Sequence, residues 1–76
     1  MIVCTQDICD GQPRIDGTEI PVWIVASDRW YWNSSVGEIA LEYDITIEQV
    51  VEAMIYAIIH EQETREEIEH QSRRYS

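Results

Sequence analysis

The chain has 76 residues and a formal net charge of −10, from 15 acids against five arginines, with no lysine. That length allows one small domain, which buries only about 60–65% of its unfolded surface and gains from a second copy or a partner. Eight acids and two arginines lie in residues 1–45, and seven acids and three arginines in residues 46–76, so the acidity is spread; such a chain repels phosphate backbones and favours basic partners.

No stretch approaches the roughly 20 apolar residues of a membrane span. Residues 1–11 (MIVCTQDICDG) lack the basic start and long apolar run of a signal peptide, so a cytoplasmic location is expected. Cys4 and Cys9 would close only a tiny loop. A zinc site would need two more ligands, and His60 and His70 are far off in sequence. Free cysteines, no metal and no cofactor are the expectation.

In chain order, residues 1–9 read as a strand or an ordered arm, ended by Asp10-Gly11 and Pro13. In residues 14–21 (RIDGTEIP) Asp16-Gly17 stands between Arg14-Ile15 and Thr18-Glu19-Ile20, the two-residue hairpin signal. Pro21 ends the ladder and suits the first turn of a helix. An isolated hairpin is marginal in water, so it must lean on the helices or pair with a second copy.

Residues 22–32 (VWIVASDRWYW) place Trp23, Ala26 and Trp30 on one face and predict a first helix, broken at Asn33-Ser34. Residues 35–43 (SVGEIALEY) begin with a capping box, Ser35 with Glu38. Val36, Ile39, Ala40 and Tyr43 make its stripe, and Gly37 weakens this short second helix. Residues 46–60 (TIEQVVEAMIYAIIH) carry the strongest pattern. Ile47, Val50, Val51, Met54, Ile55, Ile58 and Ile59 fall at i, i+3, i+4, i+7, i+8, i+11 and i+12, and Thr46 with Gln49 forms a second capping box. This third helix is expected to be the core, buried through those seven residues. Glu48, Gln49, Glu52, Ala53, Tyr56, Ala57 and His60 would form its opposite face. A short capped helix, a tight turn and a longer capped helix make a helix-turn-helix arrangement, with helix 1 ahead of it.

Residues 61–76 contain one aliphatic side chain, Ile68, plus Tyr75. The pairs Glu61–Arg65 and Glu69–Arg73 support helix. With so little to bury, the segment could continue helix 3, form a fourth helix or fray.

RIDGTEIPVW, EIALEY and TIEQVVEAMIYAIIH together resemble, in order, the domain-of-unknown-function 433 family, whose members are regarded as VapB-like antitoxins. The Gly17, Thr18, Ile20, Pro21, Val22 string is the specific part, and the likeness covers about two-thirds of the chain. The resemblance implies a homeodomain-like helix-turn-helix behind a small β-element. Together with the chain-order reading, the expected fold is mainly α: a three-helix, homeodomain-like helix-turn-helix bundle (residues 22–60) behind a short N-terminal β-hairpin (residues 1–21), followed by the acidic C-terminal helical extension (residues 61–76) read from the residues themselves. The resemblance also implies a partner, a PIN-like ribonuclease toxin. Three positions depart from the common pattern: Asn33 stands for Gly, Asp44 for Pro, and Glu19 for Arg.

No enzymatic constellation is present: there is no Gly-rich phosphate loop and no spaced Ser, His and acid. The acids of residues 61–69 read as a solvated helix face and not as a cation site, and His60 as a helix-end histidine beside the C-terminal dipole. Three functions remain. The first is a toxin-neutralising interaction protein, whose acidic surface covers a basic ribonuclease by charge complementarity through Glu63, Glu66, Glu67, Ile68 and Tyr75. The second is DNA binding with Glu48, Gln49, Glu52 and Ala53 at the base edges. The absence of Lys and Arg from helices 2 and 3 makes that reading doubtful. The third is a plain dimerisation module, with Ile15, Ile20, Trp23 and Trp30 as the self-interface; a homodimer fits all three.

Overall fold

A computed structural model describes residues 2–4 and 12–75, with side chains through residue 72. Two short strands, β1 (Ile2–Val3) and β2 (Arg14–Ile15), precede four helices: α1 (Val22–Trp30), α2 (Val36–Tyr43), α3 (Ile47–Ile59) and α4 (Glu61–Tyr75). The fold is therefore mainly helical, with four helices where three and an extension were expected.

The Asp16-Gly17 turn forms, and Gly17 takes the positive φ of 79° that a glycine tolerates. The chain that leaves it does not return as a strand. β2 instead pairs antiparallel with β1, Ile2 opposite Ile15 and Val3 opposite Arg14. Only one antiparallel bridge, Arg14 to Pro21, survives from the anticipated hairpin. It is made by Ile15 N–H donating to the Ile20 carbonyl (3.1 Å) and Val22 N–H donating to the Pro13 carbonyl (2.9 Å). Pro21 thus sits where no donor is required. Thr18 closes the intervening loop: its hydroxyl donates to the Ile15 carbonyl and accepts from Ile20 N–H.

Both capping boxes are present. Ser35 accepts from Glu38 N–H while the Glu38 carboxylate accepts from Ser35 N–H, and Thr46 and Gln49 do the same. Asn33 and Asp44 take left-handed φ values of 57° and 55°, so both turns use residues that tolerate this region. The hydrogen bonds from Ser35 hold the Glu38 carboxyl below its ordinary range. A depressed folded-state value gives stability that is present above the unfolded value, near pH 4.5, and fades as pH falls through the folded one. Acid titration of helicity should show this contribution in the wild type and not in Glu38→Gln, which keeps an acceptor for the Ser35 N–H but has no carboxyl to titrate; identical acid limbs would remove the cap from the account.

α3 touches every other element, as the central helix should. It does so through a different side than the stripe predicts. Val50, Ala53 and Ala57 are fully buried, in one core with Val22, Val25 and Ala26 of α1, Ile39 and Ala40 of α2, Ile15 and Ile68. Ile47, Val51, Ile55, Ile58 and Ile59 are instead 57%, 41%, 53%, 61% and 71% exposed. At about 100° per residue, the buried trio and these five are centred about 140° apart, on nearly opposite sides of the helix. The physical reason is the size of the seam residues. Alanines let the α1 and α3 backbones come close, which isoleucines would prevent.

Residues 61–75 do not prolong α3. His60 leaves helical geometry at φ −112°, ψ 45°, and α4 folds back onto α1. Its buried stripe is Thr64, Ile68 and Gln71, spaced i, i+4, i+7. The Arg65 guanidinium adds a clamp: it lies 4.3 Å from the Trp30 ring centroid, donates to the Tyr31 hydroxyl (3.0 Å) and pairs with Glu61 (2.8 Å). Across the bundle the Tyr43 hydroxyl donates to Asp28 (2.7 Å), tying α2 to α1. Burial, then that bond and the Asp28 charge, push the Tyr43 phenol well up.

Candidate functional site

The turn at His60 sets α4 at an angle to α3 and leaves a recess of about 280 Å³ between α1, α3 and α4. Its walls come from four places in the sequence, the first being Gln12 and Pro13 just ahead of β2. α1 supplies Trp23 at its first turn, α3 supplies Tyr56 and His60 one turn apart, and α4 supplies Glu63, Thr64 and Glu67. The Tyr56 and His60 rings stack with centroids 4.4 Å apart at a tilt of 32°. Gln12 ties the wall together. It accepts from the Trp23 indole N–H (3.0 Å) and its amide donates to Glu67, which also accepts from Gln71 (2.8 Å). Burial first, then Cys4 and Glu63, raise the Tyr56 phenol above its ordinary value, so it stays a neutral donor.

Two carboxylates beside aromatic faces, in a partly desolvated recess, suit a cationic group. An ammonium or guanidinium gains from the ring quadrupoles and from charge-assisted hydrogen bonds together. Among the described residues no three His, Cys, Asp or Glu are grouped to hold a metal ion. Cys4 is exposed and unbridged, and Cys9 lies outside the described residues.

The structure separates the residues that the sequence grouped. Glu63 and Glu67 face the recess; Glu66 is exposed beside it and accepts from Gln62 (3.2 Å). Ile68 is buried in the core and is no surface anchor. The Tyr75 side chain lies outside the described ones. On α3, Glu48 and Glu52 are exposed, Gln49 is engaged in the cap, and Ala53 is fully buried, so it presents nothing to a groove. Of the four residues assigned to a self-interface, Ile15 is buried, and Ile20, Trp23 and Trp30 are half-buried against the same core. Trp23 and Trp30 also make intramolecular contacts, lining the recess and carrying Arg65.

Sequence reasoning missed the recess itself. Its signal was there as Tyr56 and His60 at i, i+4, on the side of α3 that reads as the plain polar one. Among the described residues, no helix is long and apolar enough to cross a membrane.

No curated protein and no solved structure gives a significant match to the chain. One family model does match, over residues 2–57, which is most of the chain and runs from β1 through nearly all of α3. On that match the chain belongs to the family described as "Protein of unknown function (DUF433)".

Proposed function

We propose that this protein is an antitoxin-like interaction module that binds a basic protein, by its resemblance to VapB-like antitoxins a PIN-like ribonuclease toxin. The observation that carries the reading is the acidic aromatic recess, in which Trp23, Tyr56, Glu63 and Glu67 are arranged to receive a lysine or arginine side chain. On another side, beside Gln62 and Arg65, α4 presents Glu61, Glu66 and Glu69 on its exposed surface. A ribonuclease holds RNA with cationic groups, so a partner with this surface competes for the same charges and associates fast.

The helix-turn-helix character of α2 and α3, in a homeodomain-like setting, is part of the proposal only as scaffold. With Ala53 inside, Gln49 in its cap and no cation on α3, a phosphate backbone gains nothing from that helix.

The test is capture of partners by the tagged chain from its native lysate at low and moderate salt, read by mass spectrometry. A small basic ribonuclease should be retained at low salt and released as salt rises. Glu63→Gln with Glu67→Gln should weaken it about tenfold or more while the fold is kept, since each amide still offers an acceptor. Recovery of a basic ribonuclease whose affinity ignores both carboxylates would move the contact elsewhere, and recovery of none would end the antitoxin reading.

A further inference from the structure

The core and the surface of α3 are inverted in size. Four of the ten core residues among the described ones are alanines, Ala26, Ala40, Ala53 and Ala57. Meanwhile four isoleucines and a valine of α3 stand outside. These five run as one uncharged ridge from Ile47 to Ile59, about 18 Å long at helical rise. Together they expose on the order of 500 Å² of aliphatic surface, as much as the largest patch of an ordinary monomer, gathered on one helix. Glu48 and Glu52 lie along one edge and do not cross it. Tyr56 and His60, which line the recess, continue the i, i+4 row of Glu48 and Glu52 past that edge, so the recess lies beyond the ridge and not on it.

We propose that this ridge is the interface of a homodimer, formed by antiparallel packing of α3 against α3 of a second copy. Two facts favour a second copy over another protein. Two such ridges facing one another bury about 1,000 Å², the threshold for a specific interface, and set apolar surface against apolar surface, whereas an ordinary polar surface would leave its own polar groups desolvated against the ridge. The ridge is also self-complementary. Antiparallel pairing about its middle sets Ile47 against Ile58 and Ile59 of the partner and Val51 against the partner's Ile55. An isologous contact needs that match between its two ends. The edge carrying Glu48 and Glu52 then meets the same edge of the second copy, and the two chains together carry twice the charge of −10. Association is therefore hindered at low salt and strengthened by screening. This is the reverse of what the recess should show with a basic partner.

Sedimentation equilibrium of the purified full chain, from about 1 to about 200 µM and at low and high salt, tests the proposal. A monomer–dimer equilibrium is expected, with a several-fold tighter dissociation constant at high salt. Ile55→Glu, and separately Ile58→Glu, should weaken it about a hundredfold or more, by placing a carboxylate in the middle of the contact. Both sites are more than half exposed, so helicity and melting temperature of the diluted monomer should match the wild type. Three results overturn the proposal: a wild type that stays monomeric throughout, a dimer that both variants leave intact, or a monomer whose ridge is needed only to capture a different protein.

Discussion

Ala53→Leu is expected to destabilise the fold by about 1–3 kcal/mol or more, because the added methylenes have no space at a fully buried position and must part the helices or adopt strained rotamers. A domain of this size holds about 4–11 kcal/mol in all, so the loss is a large share. Urea unfolding should show a lower midpoint with an unchanged slope. The informative control is Ile55→Ala. By periodicity Ile55 belongs to the core, and its truncation should cost about 2–5 kcal/mol. By its exposure it should cost the dilute monomer well under that, since little packing is lost. An Ile55→Ala more damaging than Ala53→Leu would mean that α3 turns its isoleucines, and not its alanines, toward α1.

That pair of variants also locates what the sequence could and could not convey. The local chemistry was legible. Ser35 with Glu38 and Thr46 with Gln49 announce the starts of α2 and α3, and Asp16-Gly17 announces its turn. These signals depend on neighbours within four residues, so no distant element can overrule them. The rotation of α3 about its own axis was not legible. Its apolar residues cover far more than half of its circumference once Ala53 and Ala57 are added. Periodicity then shows that the helix is apolar on two sides without showing which side meets α1. Burial ranks the larger side chain first, while close helix approach selects the smaller one, and here the second effect decides. The partner of β2 was hidden for a related reason. Thr18-Glu19-Ile20 was the adjacent candidate, and the strand that pairs instead, Ile2–Val3, ends eleven residues before Arg14, a separation at which no local rule sets the register. The recess needed four segments at once, and the break at His60 is what turns α4 toward the others.

Ile68→Ala is expected to cost about 2–4 kcal/mol and to release α4 before anything else unfolds. Ile68 is the one aliphatic side chain α4 contributes to the core, flanked there by Thr64 and Gln71, which bring little transfer energy of their own. An isolated helix of 15 residues is marginal in water, so α4 keeps its helicity mainly by being docked. Hydrogen exchange should therefore lose protection across Glu61–Tyr75 while α1, α2 and α3 keep most of theirs. The Arg65 contact with Trp30 and Tyr31 would oppose release, but an exposed clamp of this kind is worth less than the buried isoleucine. Unchanged protection in α4 would show that the clamp and not Ile68 anchors it. The consequence for binding is separable from that of Glu63→Gln with Glu67→Gln. Removing the carboxylates weakens the electrostatic attraction and flattens its salt dependence. Freeing α4 leaves every charge in place but disperses the recess, so the partner must order the helix again on binding, and affinity falls with the salt dependence kept.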